Sequence, residues 1–180
     1  MSKNKQTATL AGGCFWCLEA VYENVIGVES VESGYIGGNS TQTNYKEVSR
    51  GTTGHAEAVH IQFDSESIAF KDLLRIFFTI HDPTTLNRQG ADVGTQYRSA
   101  IFTHDDQQIN DVKEIIQEIT EAKIWNDPII TEVTPFDQFF KAEDYHQGYY
   151  ANNSSQPYCR AVVEPKVAKF RSKFQEFLKE

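Results

Sequence analysis

Apolar and polar residues alternate most clearly over Glu57–Asp64, and this pattern predicts a β-strand. Successive side chains of a strand point to opposite faces, so Val59, Ile61 and Phe63 share one face. We expect that face to be buried. Glu57 lies on the same face, which places a carboxyl group at the end of an apolar stripe.

Strands and helices alternate along the rest of the chain. Further strands are predicted for Thr7–Ala11, Val28–Gly34, Tyr97–Thr103 and Pro128–Val133. Helices are predicted for Leu18–Tyr22, Ser67–His81, Asp106–Ile124 and Lys166–Lys179. This order, with one strand followed directly by another, predicts an α+β fold: a two-layer sandwich with a mixed sheet, a split βαβ (ferredoxin-like) core, long loops and a C-terminal extension.

Composition and charge restrict the class of protein. The chain has 180 residues, of which 39% are hydrophobic, and this size predicts a single domain over residues 1–180. Its core is expected over about residues 7–150, followed by a C-terminal tail and helix over 151–180. The net charge of −8 argues against nucleic acid or an anionic membrane as a partner. Residues 1–5 lack the apolar run of a signal peptide, so we expect a soluble, cytoplasmic protein. We also expect a monomer.

The segment Gly12-Gly13-Cys14-Phe15-Trp16-Cys17 joins the first predicted strand to the first predicted helix. Its two glycines permit a sharp turn, which would place Cys14 in the first turn of the helix. There, unpaired N–H groups and the positive end of the helix dipole favour a thiolate. A cysteine with a low pKa is a nucleophile, and Phe15 and Trp16 would wall an apolar pocket beside its sulfur.

Other interpretations of these cysteines exist. A free cysteine is most often a small buried hydrophobic residue, and a Cys-x-x-Cys pair can be half of a zinc site or a thioredoxin-like redox pair. Zinc requires two more ligands, and Cys159 has no cluster of Cys or His around it. The chain is also much longer than a small redox module requires. The three cysteines are an odd number, which does not suggest the disulfide framework of a small secreted domain. The nucleophile interpretation is therefore favoured, and no metal site is predicted.

Glu57 permits two interpretations. If it is buried and unpaired, desolvation raises its pKa, and the side chain keeps a proton that a general acid can donate. If the strand ends at the rim of the sheet, the carboxylate is simply solvated. The alternation pattern does not choose between them.

Two irregular stretches and one polar run contain or flank further candidate residues. A long loop is predicted over Ser40–Gly54 and contains Tyr45; a second irregular stretch, Asp82–Gly94, contains Asp92. The polar run Asn152–Pro157 is expected to carry Cys159 on a flexible tether. The aromatic segment before this run is expected to cover the core, and its His146 is expected to be structural.

Four motifs then carry a family resemblance. They are Gly12-Gly13-Cys14-Phe15-Trp16-Cys17, Gly54-His55-Ala56-Glu57, His81-Asp82-Pro83-Thr84-Thr85 and Gly94-Thr95-Gln96-Tyr97-Arg98-Ser99. In this order they resemble the peptide methionine sulfoxide reductase A family, over about residues 11–160. The resemblance implies an oxidoreductase that reduces the S epimer of methionine sulfoxide, protein-bound or free, and so repairs oxidatively damaged proteins.

The resemblance also implies roles for single residues. Cys14 would attack the sulfoxide sulfur, whose methyl group lies against Phe15 and Trp16. Glu57 would protonate the oxygen, aided by Tyr45 and Tyr97. Asp92 matches a further residue that lines the family's active site.

A disulfide and an external reductant complete the implied cycle. Cys14 would become a sulfenic acid and then form a disulfide, which thioredoxin or another dithiol reduces. No metal or bound cofactor is implied. Cys159 matches the C-terminal resolving cysteine of some members, and the order favoured here has Cys159 resolve first, with Cys17 as a shuttle or reserve.

A rival interpretation comes from another class of protein. The same cysteines suit a thiol-based redox sensor or a disulfide-exchange module that binds protein partners and uses no sulfoxide. Oxidation that depends on added sulfoxide distinguishes the two.

Overall fold

The fold combines one large sheet with helices, and a computed structural model describes residues 4–39 and 44–179. The strands are β1 Lys5–Ala11, β2 Val28–Ile36, β3 Ala56–Asp64, β4 Arg88–Gln89, β5 Asp92–Val93, β6 Ala100–Thr103, β7 Glu132–Pro135 and β8 Phe139–Lys141. The helices are α1 Phe15–Tyr22, α2 Tyr45–Ser49, α3 Phe70–Ile80, α4 Asp106–Glu121, α5 Tyr149–Asn153 and α6 Glu164–Lys173. Among the described residues, no helix is both long enough and apolar enough to cross a membrane.

The main sheet has six strands in the order β7-β6-β1-β3-β2-β8. Strands β6 and β7 pair in parallel, and all the other neighbours are antiparallel. The predicted mixed sheet with helices is therefore confirmed. The helices predicted over Ser67–His81 and Asp106–Ile124 correspond to α3 and α4, with bounds a few residues shorter.

The helices cover one face of this sheet. Helices α1, α3, α4 and α6 share a buried core with Val59, Ile61 and Phe63 of β3, on the face predicted from the alternation pattern. The other face is lined by small residues, such as Ala56 and Ala58, and is packed against the segment before β8. Glu57 faces the helix side and is only 1% exposed.

Two predicted strands have different bounds. The strand predicted over Tyr97–Thr103 begins only at Ala100, because Thr95–Tyr97 forms a 3₁₀ turn whose last N–H bonds the carbonyl of Gly94. The strand predicted over Pro128–Val133 is wrong for its first residues. Ile130 N donates to Pro83 O outside the sheet, and pairing with β6 starts only at Glu132.

The loop predicted over Ser40–Gly54 is wrong where Tyr45 lies, because α2 begins at this residue. The Asn44 side chain accepts a hydrogen bond from Glu47 N at 2.9 Å and caps α2. Residues 40–43 of the predicted loop lie outside the described residues.

The flexible tether predicted for Cys159 is also wrong. Cys159 is fully buried and begins a π-helical turn, Cys159–Val163, that continues into α6. Val163 and Phe170 are buried in the core that α1 shares, and this apolar packing holds the segment in place. The helix predicted over Lys166–Lys179 therefore starts earlier, and it ends at Lys173.

Candidate active site

The backbone around Cys14 differs from the predicted helical turn. Cys14 is the N-cap of α1, with φ of −65° and ψ of 130°, and the helix starts at Phe15. Gly13 has φ of 89°, and a Cβ atom there would lie 2.6 Å from the Gln89 side chain. Only glycine fits this turn, which brings β1 directly into α1.

Burial reverses the pKa shift expected for Cys14. The thiol is only 7% exposed, and burial raises its pKa well above its ordinary value. The contact with Cys17 and the nearby Glu57 raise it further, and a backbone hydrogen bond from the start of the helix lowers it less. The prediction of a low-pKa Cys14 is therefore wrong for this reduced state, because the helix N-terminus is outweighed by removal of the sulfur from water.

Glu57 is buried rather than solvated at the rim. Its Oε1 accepts a hydrogen bond from Phe15 N at 3.2 Å. Burial raises its pKa to about 8, and the hydrogen bonds from Phe15 N and from the Cys14 thiol oppose that shift without cancelling it. Glu57 thus holds a proton at neutral pH, next to the sulfur of Cys14.

A cavity of about 350 Å³ opens beside Cys14. Its lining includes four further residues predicted for the site: Trp16, Tyr45, Asp92 and Tyr97. Tyr149, Gln156, Pro157 and Tyr158 also line it. A cavity of about 380 Å³ near His55 has no cysteine in its lining. Predicted site residues that are far apart in the sequence therefore line one cavity beside Cys14.

The two aromatic residues after Cys14 have different environments. The Trp16 ring lies on the Tyr149 ring, with centroids 3.7 Å apart and planes 8° apart, and its Nε1 donates to His146 Nδ1 at 3.0 Å. Phe15 is fully buried against Tyr35 and is not among the residues that line the cavity. The expectation that both rings wall the pocket therefore fits Trp16 alone.

The two predicted tyrosines are neutral hydrogen-bond donors. Burial raises the pKa of Tyr45 to about 12 and also raises that of Tyr97, and the nearby Glu57 adds to both shifts. Asp92 has a different environment, because its Oδ2 accepts a hydrogen bond from Tyr158 at 2.6 Å. The phenols of Tyr45 and Tyr97 and the protonated carboxyl group of Glu57 are thus the hydrogen-bond donors near Cys14.

Sequence reasoning missed three residues of this site. Tyr149 lines the cavity and His146 orients the Trp16 indole, although the sequence predicts only a cover for their segment; Tyr158, which follows the polar run, also lines the cavity. His146 is buried, and its Nε2 has no hydrogen-bond partner among the described residues. The density of aromatic residues before Cys159 was the available signal.

The three cysteines are buried and reduced. The thiols of Cys14 and Cys17 are in hydrogen-bond contact, and this bond lowers the pKa of Cys17. Burial raises the pKa of Cys159, and the charge of an ionised Cys17 adds to that effect. All three cysteines thus belong to one buried core. Within residues 4–39 and 44–179, no three side chains of His, Cys, Asp or Glu converge as a metal ion requires.

Comparisons with known proteins assign the chain to a family. A family model described as peptide methionine sulfoxide reductase matches residues 6–178. Peptide methionine sulfoxide reductase MsrA of Polynucleobacter asymbioticus is 53% identical, over 96% of this chain and 91% of that protein. Among solved structures, reduced Mxr1 from Saccharomyces cerevisiae gives a TM-score of 0.79 at 32% identity, over 98% of this chain and 93% of that one. Mxr1 from the same yeast in complex with Trx2 gives a TM-score of 0.57 at 26% identity, over 83% of this chain and 87% of that one. The chain therefore belongs to the peptide methionine sulfoxide reductase A family of oxidoreductases.

Proposed function

We propose that this chain reduces the S epimer of methionine sulfoxide, protein-bound or free, to methionine, with Cys14 as nucleophile and Glu57 as general acid. The observation that carries the proposal is the contact between a buried thiol and a carboxyl group that is protonated at neutral pH. Cys14 lines a cavity with an aromatic wall, and Glu57 is buried behind Cys14, where it accepts the hydrogen bond from Phe15 N. The preference for the S epimer rests on the family alone.

The first step transfers one oxygen atom. Cys14 gives up its proton as its sulfur attacks the sulfoxide sulfur, and Glu57 donates a proton to the sulfoxide oxygen. The attack forms a bond between the two sulfur atoms; the protonated oxygen then moves from the substrate sulfur to the Cys14 sulfur as the substrate sulfur–oxygen bond and the sulfur–sulfur bond break, so that methionine leaves and Cys14 carries a sulfenic acid. The substrate sulfur is reduced and Cys14 is oxidised. Glu57 takes up the proton that the Cys14 thiol releases, so its carboxyl group is protonated before and after the step and serves as a proton relay.

The cavity explains how the substrate is held. Tyr45 and Tyr97 are neutral phenols that donate hydrogen bonds to the sulfoxide oxygen, which is a strong acceptor. The Trp16 ring contacts the methyl group, and Phe15 acts from within the core, where it packs against His146, the residue that accepts the Trp16 N–H. Asp92 binds the Tyr158 hydroxyl and keeps this wall of the cavity in position.

A disulfide then forms in two stages. Cys17 condenses with the sulfenic acid of Cys14, which releases water, because their thiols are already in contact. Cys159 next attacks the sulfur of Cys17, which frees Cys14 and leaves a Cys17–Cys159 disulfide. This order is the reverse of the one that the sequence favoured, since Cys159 is buried in a turn that packs on α1, the helix of Cys17, rather than carried on a flexible tether.

Thioredoxin is the proposed reductant. Its two thiols reduce the disulfide and become oxidised in turn, and the Trx2 complex of the yeast relative supports this pairing. The proposed cycle uses no metal and no bound organic cofactor. We place the enzyme in the cytoplasm as a monomer that repairs oxidised proteins.

The fold-level proposals are a single domain over residues 1–180 and a split βαβ (ferredoxin-like) core. The order β6-β1-β3-β2 within the sheet supports that core, because β1-α1-β2 and β3-α3-β6 form two interleaved units. The C-terminal segment joins the same buried core through Cys159 and Val163.

A single-turnover experiment tests the proposed function. Reduced enzyme, in excess and without reductant, is mixed with a peptide that carries either epimer of methionine sulfoxide, and methionine is measured. We expect one methionine per enzyme from the S epimer and none with Cys14→Ser. If neither epimer yields methionine while Cys14 still reacts with alkylating agents, the reductase proposal fails and the redox-sensor interpretation replaces it.

A further inference from the structure

Glu19 is a buried carboxyl group that the proposed reaction does not use. It lies on α1, five residues after Cys14, and is only 2% exposed. Carboxyl groups are seldom buried this fully unless they have partners. Its Oε1 accepts a hydrogen bond from Gly148 N at 2.7 Å, and its Oε2 accepts one from Ser33 Oγ at 3.3 Å.

These bonds connect three separate segments of the chain. Glu19 is on α1, Ser33 is on β2, and Gly148 immediately precedes α5. Gly148 has φ of 64°, a conformation that glycine adopts easily. The backbone of Tyr149 also favours the ionised carboxyl group and lowers the pKa of Glu19, which places this side chain close to two consecutive residues.

The fixed segment carries one wall of the cavity. The Tyr149 ring lies on the Trp16 ring at 3.7 Å, and both rings line the cavity beside Cys14. The residue before Gly148, Gln147, is bound to β2, because its side chain forms two hydrogen bonds with the Ser33 backbone. The N–H of the next residue, Gly148, donates to Glu19, and this bond holds the backbone immediately before α5, whose first residue is Tyr149.

We propose that Glu19 is a positioning residue for the substrate cavity, whose carboxyl group holds the Gly148–Tyr149 backbone so that the Tyr149 ring stays stacked on Trp16. The inference rests on the proposed role of this cavity as the sulfoxide site. Burial and the nearby Glu23 raise the pKa of Glu19 to about 7. A protonated carboxyl group keeps an acceptor oxygen, so the bond to Gly148 survives protonation.

The test compares two substitutions of similar size. Glu19→Gln keeps an acceptor oxygen for Gly148 N, and Glu19→Met fills the same space without one. The matched control is Glu23→Met, one helical turn further on and exposed. All variants carry Trp125→Phe, which leaves Trp16 as the sole tryptophan of the two in the sequence.

Two readouts follow the variants. In single turnovers, Glu19→Met should raise the sulfoxide concentration that gives half the maximal rate by about tenfold, because the stacked Trp16–Tyr149 pair that lines the cavity is no longer held in place. Its maximal rate should stay within about twofold of the parent, since Cys14 and Glu57 are untouched. Acrylamide should quench Trp16 fluorescence more strongly in Glu19→Met. Glu19→Gln and Glu23→Met should match the parent in both readouts.

The proposal is overturned if Glu19→Met and Glu19→Gln behave alike, or if Glu19→Met lowers only the maximal rate. If Glu19→Met does not fold, Glu19→Ala replaces it, because water can then enter the space and bind Gly148 N. Parent enzyme that makes no methionine refutes the proposed function instead. The quenching of Trp16 still decides the role of Glu19 in that case.

Discussion

Replacing Glu57 by glutamine separates the proton of this side chain from its shape. The amide oxygen can still accept the hydrogen bond from Phe15 N that Glu57 accepts at 3.2 Å. The amide cannot give a proton to the sulfoxide oxygen. A positioned general acid contributes about 10²- to 10⁴-fold to a rate. We therefore expect the single-turnover rate of Glu57→Gln at pH 7 to fall by about that factor.

The same substitution should stabilise the protein, with a sign set by the pKa of Glu57. Its ordinary pKa is 4.5, and burial raises it to about 8 in the folded state. Between these values the folded state binds more protons than the unfolded state, so wild-type stability falls as the pH rises. One pKa unit corresponds to about 1.4 kcal/mol, and pH 7 is about 2.5 units above the ordinary value. At pH 7 the raised pKa therefore lowers the wild-type free energy of unfolding by on the order of 3 kcal/mol. Glutamine does not ionise, so the variant does not lose this stability.

Urea unfolding at pH 4.5, 7 and 8.5 measures this difference. The free energy of unfolding of Glu57→Gln relative to wild type should rise from pH 4.5 to about pH 8 and then level off. Glu29→Gln is the control, because Glu29 is exposed on β2 and its ion pair with Lys5, at 3.6 Å, lies at the surface. A difference that does not depend on pH would show that Glu57 is ionised in the folded protein. An unchanged turnover rate would exclude Glu57 as the general acid.

Three further outcomes test the sulfur chemistry. Trp16→Ala should raise the half-saturating sulfoxide concentration about tenfold or more in single turnovers, because the apolar wall of the cavity is lost. Cys17→Ser should leave a sulfenic acid on Cys14 that dimedone traps, whereas Cys159→Ser should still form the Cys14–Cys17 disulfide in a non-reducing peptide map. A Cys14–Cys159 disulfide that forms at the wild-type rate in Cys17→Ser would restore the order favoured by the sequence. At pH 9, Glu57→Gln should speed alkylation of Cys14 by iodoacetamide, measured by peptide mass spectrometry, because the carboxylate raises the pKa of that thiol.

The sequence predicted Glu57 well because a strand has a fixed period. Alternation alone placed its carboxyl group on the same face as Val59 and Ile61, and the structure buries that face. The pattern left the rim and the interior as alternatives, because burial at the end of a strand depends on what packs over it. Here α1 packs over it, and the N–H of Phe15 bonds the carboxyl group.

Cys14 and Cys159 were predicted less well, for a common reason. The helix N-terminus beside Cys14 is a local feature that the sequence reveals, whereas the burial that outweighs it comes from distant segments. The polar run before Cys159 likewise does not indicate that the residues after Cys159 are buried in the core. Val163 and Phe170 bury this segment in the shared core, and no local pattern in residues 152–157 encodes that packing.

Raised pKa values at both Cys14 and Glu57 have a consequence for selectivity under the proposed mechanism. At neutral pH the thiol and the carboxyl group are both protonated, so these two groups add no charge to the cavity. The apolar methyl group of the substrate can then enter the cavity without removing water from a charged side chain. The thiol becomes a strong nucleophile only when it loses its proton, and the sulfoxide oxygen supplies an acceptor for the proton that Glu57 relays. Unoxidised methionine has no such oxygen. The burial that suppresses Cys14 toward other electrophiles therefore restricts its reactivity to a substrate that brings its own proton acceptor.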